Sequence, residues 1–229
     1  LVAIVGGSGS GKTWLADKLK SALAPHAVSL SLDDFYLDRS YLPPTRRAQL
    51  NFDHPRAIDW TGLEYVLLRL LARRSAHLPC YDFGTHRRFS RTRAVAPRTF
   101  IILDGLWLLR RRTVRRLVSF SVFLECPRRT RLRRRLARDL RSRSRTRRSI
   151  QRQFRTTVEP MHTRFVEPQG RLAHLVLRRG CTKRDVWKIA SYLRGLTVER
   201  TQASPPSVRV NLKRALEEPQ NTRITRRIL

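Results

Sequence analysis

Gly6-Gly7-Ser8-Gly9-Ser10-Gly11-Lys12-Thr13 fits G-x-x-x-x-G-K-[ST], the pattern of a phosphate-binding P-loop. The residues before it, Leu1 to Val5, are an unbroken apolar run of the kind a buried parallel strand shows. After it, Trp14, Leu15, Ala16 and Leu19 recur at helical spacing. Strand, glycine loop and helix therefore stand in the order the motif requires. Glycines let the backbone bend until successive N–H groups converge on phosphate oxygens at a positive helix end. Gly6, Gly7, Ser8, Gly9, Ser10 and Gly11 would form the cradle, Lys12 would reach the outer phosphates, and Thr13 would hold a magnesium ion.

Outward from the loop, His26 to Leu32 alternates as a strand and delivers Asp33-Asp34-Phe35-Tyr36. In open α/β sheets ligands gather at the carboxyl ends of strands, so a carboxylate here faces the phosphates. Asp33 is then a general base towards a substrate hydroxyl, a magnesium holder, or a turn cap. Adjacent strand residues point opposite ways, so only one of the two aspartates can face the phosphates, and Asp33 is taken as that one. Phe100-Ile101-Ile102-Leu103 is another apolar strand and ends at Asp104, which is placed to help hold magnesium. Phe120 to Leu124 and His174 to Leu177 read as further strands, and Lys183 to Leu193 as the closing helix.

Between these elements lie three insertions. Leu37 to Ile58 is a long loop rich in proline and arginine that contains Asn51-Phe52-Asp53-His54-Pro55. Trp60 to Leu71 is a helix with Leu63, Val66, Leu67, Leu70 and Leu71 facing the core. Leu78 to His86 with the basic stretch to Ala96 reads as a hairpin-like insertion. Its Tyr81, Phe83 and His86 suit either stacking on a heterocyclic base or ordinary packing. From Arg128 to Arg152 thirteen residues are arginine. A helix of like charges repels itself and gains stability when anions bind, which is how a closing lid behaves, although a solvated basic face has the same composition. Ile150 to Val166 is a further helix that Pro160 kinks or divides.

The chain has 229 residues, 41% of them hydrophobic, enough for one sizeable core. Lys+Arg number 49 against 17 Asp+Glu, a formal net charge of +32, and the pI is about 11.8. Such a surface attracts polyanions, nucleotides and RNA among them, whether or not that is its task. Cys80, Cys126 and Cys181 lie far apart without C-x-x-C spacing, so no zinc or disulfide framework is suggested and a reducing cytoplasm fits. No apolar run has the length of a membrane span. The first residues read as a strand rather than a signal peptide, and because the chain starts at Leu1 a short trimmed leader is expected. Beyond Gly195 the composition shifts to threonine, serine, proline and charge, so 1–195 is expected as the catalytic domain, with a lid about 128–152, and 196–229 as a mobile extension.

Taken together, GGSGSGKT, DDFY, NFDHP, PCYDF with His86 following, LDGLW, RLARD, QF and TVEPMHTRFVEP resemble the uridine/cytidine kinase family over nearly all of 1–193. The resemblance implies an α/β, three-layer P-loop NTPase-type fold with a mostly parallel sheet, a hairpin for the nucleoside base and an arginine-rich helical lid. It implies transfer of the ATP γ-phosphate to the 5′-hydroxyl of uridine or cytidine with Mg2+, in a homo-oligomer that the resemblance makes a tetramer. By motif, Asp33 becomes the base and Asp53 the ribose ligand, while Tyr81 and His86 read the pyrimidine beside Phe83. Arg135, Arg145 and Gln153 are implied as nucleoside contacts, and Arg138 and Arg143 as lid arginines on ATP. The chain departs from the family where Asp104 replaces glutamate, where Asp34 replaces the common serine, and where Phe154 replaces tyrosine. It also lacks the lid glycine around Ser142 to Arg145, which should stiffen closure. Two other readings remain open. One is a relative acting on nicotinamide riboside, pantothenate or a sugar phosphate; the other is a basic RNA-binding protein with a vestigial kinase site.

Overall fold

The computed structural model describes residues 1–142, 146–178, 180–202 and 222–224. Strand β1 (Val2–Gly6) lies at the centre of a sheet ordered β2 (Ala27–Ser31), β5 (Phe100–Gly105), β1, β6 (Phe120–Leu124), β7 (Leu175–Leu177), β8 (Thr222–Ile224). The first five of these are mutually parallel, and β8 runs antiparallel to β7. β1 is fully buried, as a strand flanked on both sides and covered on both faces must be.

Alternate residues of the strands feed two apolar layers. Ala3, Val5, Ile101, Leu103 and Phe123 pack on one face with Leu63, Leu67 and Trp107. Val2, Ile4, Ile102 and Val122 pack on the other with Leu15, Leu19, Ile189 and Leu193. The covering elements are α3 (Trp60–Leu71) on the first face, and α1 (Lys12–Ala22) with α8 (Lys183–Gln202) on the second. This is the expected three-layer α/β arrangement.

Several local expectations shift. Leu71 is 38% exposed, so the buried stripe of α3 is Leu63, Val66, Leu67 and Leu70; position 71 lies past the last full turn against the core. The long loop is ordered around a short helix α2 (Pro44–Ala48), a turn at Pro55–Ala57 and a bridge between Tyr36 and Ile58. Proline at the first position of α2 fits because its missing N–H would have no helical partner there. The hairpin is confirmed as β3 (Ala76–Asp82) against β4 (Arg87–Val95), a separate two-stranded sheet.

The basic segment forms α5 (Arg128–Ser142) and α6 (Arg147–Gln153), preceded by the short α4 (Arg112–Leu117). Beyond α6 the chain keeps a helical course through two wide π turns, 154–158 and 162–166, on either side of α7 (Glu159–Met161). The widened turns absorb Pro160, whose absent N–H would leave a gap in a regular α-helix. α8 runs to Gln202, beyond the expected end at Leu193, and carries Gly195 inside it. One helical glycine costs only about 1 kcal/mol, and the buried Val186, Ile189, Ala190 and Leu193 anchor the helix below it.

Candidate active site: a phosphate loop facing an aromatic wall

The P-loop leaves β1 at Gly6 and enters α1 at Lys12. Gly9 has φ +80°, and a Cβ there would stand 2.6 Å from the Arg131 carbonyl oxygen. Gly11, at φ +103°, caps α1 in the left-handed region. Both positions need glycine. The Ser10 N–H donates to the Gly7 carbonyl at 3.0 Å, and the first helical bond is Leu15 N–H to Gly11 O at 3.0 Å. The N–H groups of Lys12, Thr13 and Trp14 belong to the opening turn, where helical geometry supplies no acceptor, so they point at whatever anion the loop holds. The Lys12 ammonium donates to Gly7 O at 3.1 Å. Burial lowers the Lys12 pKa, while the nearby Asp104 and Asp33 carboxylates oppose that shift.

A cleft of about 750 Å³ opens over this loop. Ser8, Gly9, Ser10, Gly11, Lys12 and Thr13 line its floor, Asp33 and Asp104 its side, and Tyr36, Phe52, Phe83 and His86 its far end. Asp53 and Gln153 also face it, as do Arg134, Arg135 and Arg138 from α5. Gly6 and Gly7 lie behind the lining.

Asp33 reaches the cleft for a reason other than strand alternation. Strand β2 ends at Ser31, and Leu32–Phe35 form a tight 3₁₀ turn capped by the Ser31 hydroxyl, which accepts from Asp33 N–H at 3.3 Å. The turn carries Asp33 inward, and it leaves Asp34 within 3.7 Å of Arg93 on β4. Burial, which outweighs Arg93, pushes the Asp34 carboxyl up to about 6.

Asp104, 4% exposed, accepts a hydrogen bond from the Thr13 hydroxyl at 3.4 Å. Burial raises its pKa to about 7; Lys12 opposes the rise and Asp33 adds to it. A buried carboxylate beside a second carboxylate and a hydroxyl is an all-oxygen donor set that suits Mg2+. Among the described residues no three His, Cys, Asp or Glu side chains form a metal cage. Magnesium in phosphate sites keeps waters and phosphate oxygens as ligands, so it needs no such cage.

At the far end, Phe52 and His86 stack at 4.1 Å between centroids with an interplanar angle of 9°. His86 sits in the left-handed region at φ 56°, in the turn between β3 and β4, and this conformation aims its ring at Phe52. Tyr81 is 8% exposed and stands behind the lining, with its ring 5.2 Å from those of Tyr36 and Phe83. Asp53 is set by its own N–H bonding to the Asn51 side-chain oxygen at 3.0 Å.

α5 is fastened to the loop. The Arg135 guanidinium donates to the Ser8 hydroxyl at 3.1 Å and to the Gln153 side-chain oxygen at 2.9 Å. Arg134 donates to Ser10 O at 3.1 Å. Arg131 donates two bonds to the Glu159 carboxylate, at 3.0 and 2.9 Å. Asp139 is fully buried between Arg135 and Arg138, at 3.4 and 2.8 Å. Glu159 and Asp139 thus supply internal counter-charges to an otherwise self-repelling helix. Phe154 is fully buried near the Arg131 guanidinium. Arg143 and Arg145 lie outside the described residues.

Sequence reasoning passed over Tyr36, Phe52, Arg134 and Trp14 as lining residues. Tyr36 and Phe52 stand inside the DDFY and NFDHP motifs, so a signal existed for them. Arg134 is one arginine among many, and nothing local distinguishes it.

A fold with this loop, this acidic pair and this arginine helix defines a P-loop phosphotransferase. The chain belongs to the Phosphoribulokinase / Uridine kinase family, whose model matches residues 1–186. It is 37% identical over 182 residues to a protein of Lactobacillus helveticus named uridine kinase, covering 79% of this chain and 86% of that one. It is 35% identical over 185 residues to the uridine kinase of Tolumonas auensis, with 79% and 86% covered. Among solved structures, phosphoribulokinase from Rhodobacter spheroides superposes with a TM-score of 0.57 at 14% identity, over 78% of this chain and 69% of that one. D-glycerate 3-kinase from Cryptococcus neoformans gives 0.57 at 18%, over 77% and 84%. At these identities the structural likeness speaks for the fold alone.

Proposed function

We propose that this chain is a uridine kinase that transfers the γ-phosphoryl group of ATP to the 5′-hydroxyl of uridine, and of cytidine, in pyrimidine salvage. The observation that carries this reading is the single cleft with a phosphate loop at one end, an aromatic wall at the other, and Asp33 between them. The relatives named uridine kinase supply the substrate class.

In this reading Lys12 and the opening N–H groups of α1 hold the β- and γ-phosphates, and Thr13, Asp33 and Asp104 hold Mg2+. When bound by these residues, the ion would supply charge neutralisation for the phosphates. Asp53 holds the ribose hydroxyls. Phe52 and His86 present a stacked edge to the pyrimidine, with Tyr36, Phe83 and Tyr81 backing them. Asp33 accepts the proton of the 5′-hydroxyl as that oxygen attacks phosphorus. Arg138, with Arg143, meets the charge on the transferring group, and Arg135, Arg145 and Gln153 close over the nucleoside. Little covalent work falls to the protein, so positioning and fixed positive charge carry the rate.

Residues 1–195 form the catalytic unit in this reading and 196–229 an extension of it. The enzyme is cytoplasmic and a homo-oligomer. No helix among the described residues is long and apolar enough to cross a membrane.

The test is an acceptor panel with ATP and Mg2+, comprising uridine, cytidine, adenosine, nicotinamide riboside, pantothenate and ribulose 5-phosphate. Uridine and cytidine should be phosphorylated with the highest kcat/KM. Phosphorylation of a non-nucleoside alone would refute the reading.

A further inference from the structure

The aromatic wall and Asp33 come from segments far apart in the chain, and one side chain joins them. Arg88 is the second residue of β4, two positions past His86. Its Nε donates to the Tyr36 carbonyl at 2.8 Å and its Nη1 to the Asp59 carboxylate at 3.0 Å, while its backbone N–H donates to the Asp38 carboxylate at 3.1 Å. One guanidinium thus bonds the residue that follows the Asp33 turn and the residue that caps α3. Its own backbone belongs to the hairpin that carries Phe83 and His86 into the cleft.

The partners of Arg88 are themselves fixed. Asp59 accepts the Gly62 N–H at 2.9 Å through its other carboxylate oxygen, and its own N–H donates to the Phe35 carbonyl at 2.8 Å. The Phe35 and Tyr36 carbonyls are therefore both held from outside the turn, one by the start of α3 and one by β4. A four-residue 3₁₀ turn is tightly wound, so a displacement at Tyr36 is passed to Asp33, three residues earlier. Arg88 also stands opposite Tyr81 on β3, whose ring lies 5.2 Å from that of Tyr36. Ring contact keeps the hairpin and the turn together, and the planar guanidinium fork adds orientation. The other link between β4 and the turn, Arg93 to Asp34 at 3.7 Å, is longer and its arginine is 52% exposed, and pairs of that kind fix little.

We propose that Arg88 is a positioning residue for the transfer step: by bonding the Tyr36 carbonyl and Asp59 at once, it sets the hairpin against the Asp33 turn, so that an acceptor seated by its base presents its hydroxyl to Asp33. This rests on the reading of Asp33 as the base and of the hairpin as the acceptor wall. Arg88 is not among the residues that line the cleft, so it acts through its neighbours and touches no reactant.

The experiment is steady-state kinetics of the full chain with ATP and uridine, for the parent, Arg88→Lys and Arg88→Ala, with urea unfolding of each. Arg88→Ala should lose about a hundredfold in kcat/KM for uridine, the scale of a misplacement of about 1 Å, and keep the KM for ATP within about twofold of the parent's. Guanidinium at millimolar concentration should restore part of that loss, whereas urea, which has the same shape and no charge, should not. An ammonium lacks the fork that serves both acceptors, so Arg88→Lys should fold with a near-parental midpoint and still lose about tenfold in kcat/KM for uridine. If Arg88→Ala does not fold, Arg88→Lys decides. The proposal is overturned if Arg88→Lys keeps the parental kcat and KM for uridine, or if the KM for ATP suffers as much as the kcat/KM for uridine. It is also overturned if a folded Arg88→Ala gains nothing from guanidinium, since Arg88 would then be a general support of the fold. A parent protein inactive on every nucleoside would instead refute the proposed function, and this inference with it.

Discussion

Replacing Asp139 by asparagine keeps the shape of the side chain and removes its charge. The carboxylate is fully buried and sits 3.4 Å from the Arg135 Nε and 2.8 Å from the Arg138 Nε, and the Arg135 side chain is itself only 6% exposed. Breaking a buried ion pair from one side costs about 3–5 kcal/mol, because the partner charge stays in a poorly solvated place. Two features put this case at the lower end: Arg138 is 43% exposed and can turn to water, and Arg135 keeps its bonds to Ser8 and Gln153. The expected loss is about 3 kcal/mol, a large share of the roughly 5–15 kcal/mol that holds a typical domain together. With a urea slope of about 2 kcal/mol/M, the unfolding midpoint should fall by roughly 1.5 M at unchanged slope. Because Arg135 also positions Ser8 of the loop and Gln153, the KM for uridine and for ATP should both rise in the folded variant. A midpoint shift below about 0.3 M would show that Asp139 is not the counter-charge that seats α5 on the loop, and the energetic account of the lid helix would be wrong.

Asp33→Asn should lower kcat by about 10²–10⁴, the usual worth of a general base, with ATP binding by calorimetry nearly intact; unchanged turnover would remove Asp33 from that role. His86→Ala breaks the stack with Phe52 and should raise the KM for uridine more than the KM for ATP, whereas an equal loss for both would make His86 a structural residue. His162 is pressed against the loop at Gly7, and its pKa is lowered to about 4, mainly by burial, with Arg131 and Lys12 adding to the shift. A depressed histidine pKa means the unfolded chain takes the proton first. The resulting penalty is absent above about pH 6.5, grows as pH falls towards 4, and amounts to roughly 3 kcal/mol when complete. The stability difference between the parent protein and His162→Gln, followed by urea unfolding, should therefore shift in the variant's favour between pH 7 and pH 4.5; a constant difference would refute the assignment.

The sequence alone was enough for the fold class and for half of the site. An apolar strand, a glycine loop and a helix in fixed order are a local constraint, because the P-loop is formed by consecutive residues whose backbone does the binding. The apolar runs at 100–103 and 120–124 mark strands buried on both faces, and Asp104, at the end of the first, inherits its place from the sheet. These properties depend on near neighbours in the chain, so they are legible there. Element ends were less so: α8 continues past Gly195 because the buried face below it outweighs the cost of one glycine.

Tertiary structure decided what depends on meetings between distant segments. The sequence offered Asp33 and Asp34 as adjacent candidates, and a 3₁₀ turn capped by Ser31, together with an arginine on the far hairpin, separated their environments. Tyr81 and His86 looked equivalent, yet the hairpin turn aims one at the cleft and packs the other behind Tyr36 and Phe83. Thirteen arginines between 128 and 152 are interchangeable by composition. Only the seating of α5 against the loop distinguishes Arg131, which is buried on Glu159, from Arg134 and Arg135, which bond Ser10 and Ser8. Side-chain identity records which groups are available, and the free energy of burial decides which of them face each other. That second choice is made by contacts between segments far apart in the chain, 28 residues for Arg131 and Glu159 and 127 for Arg135 and Ser8, which no local pattern encodes.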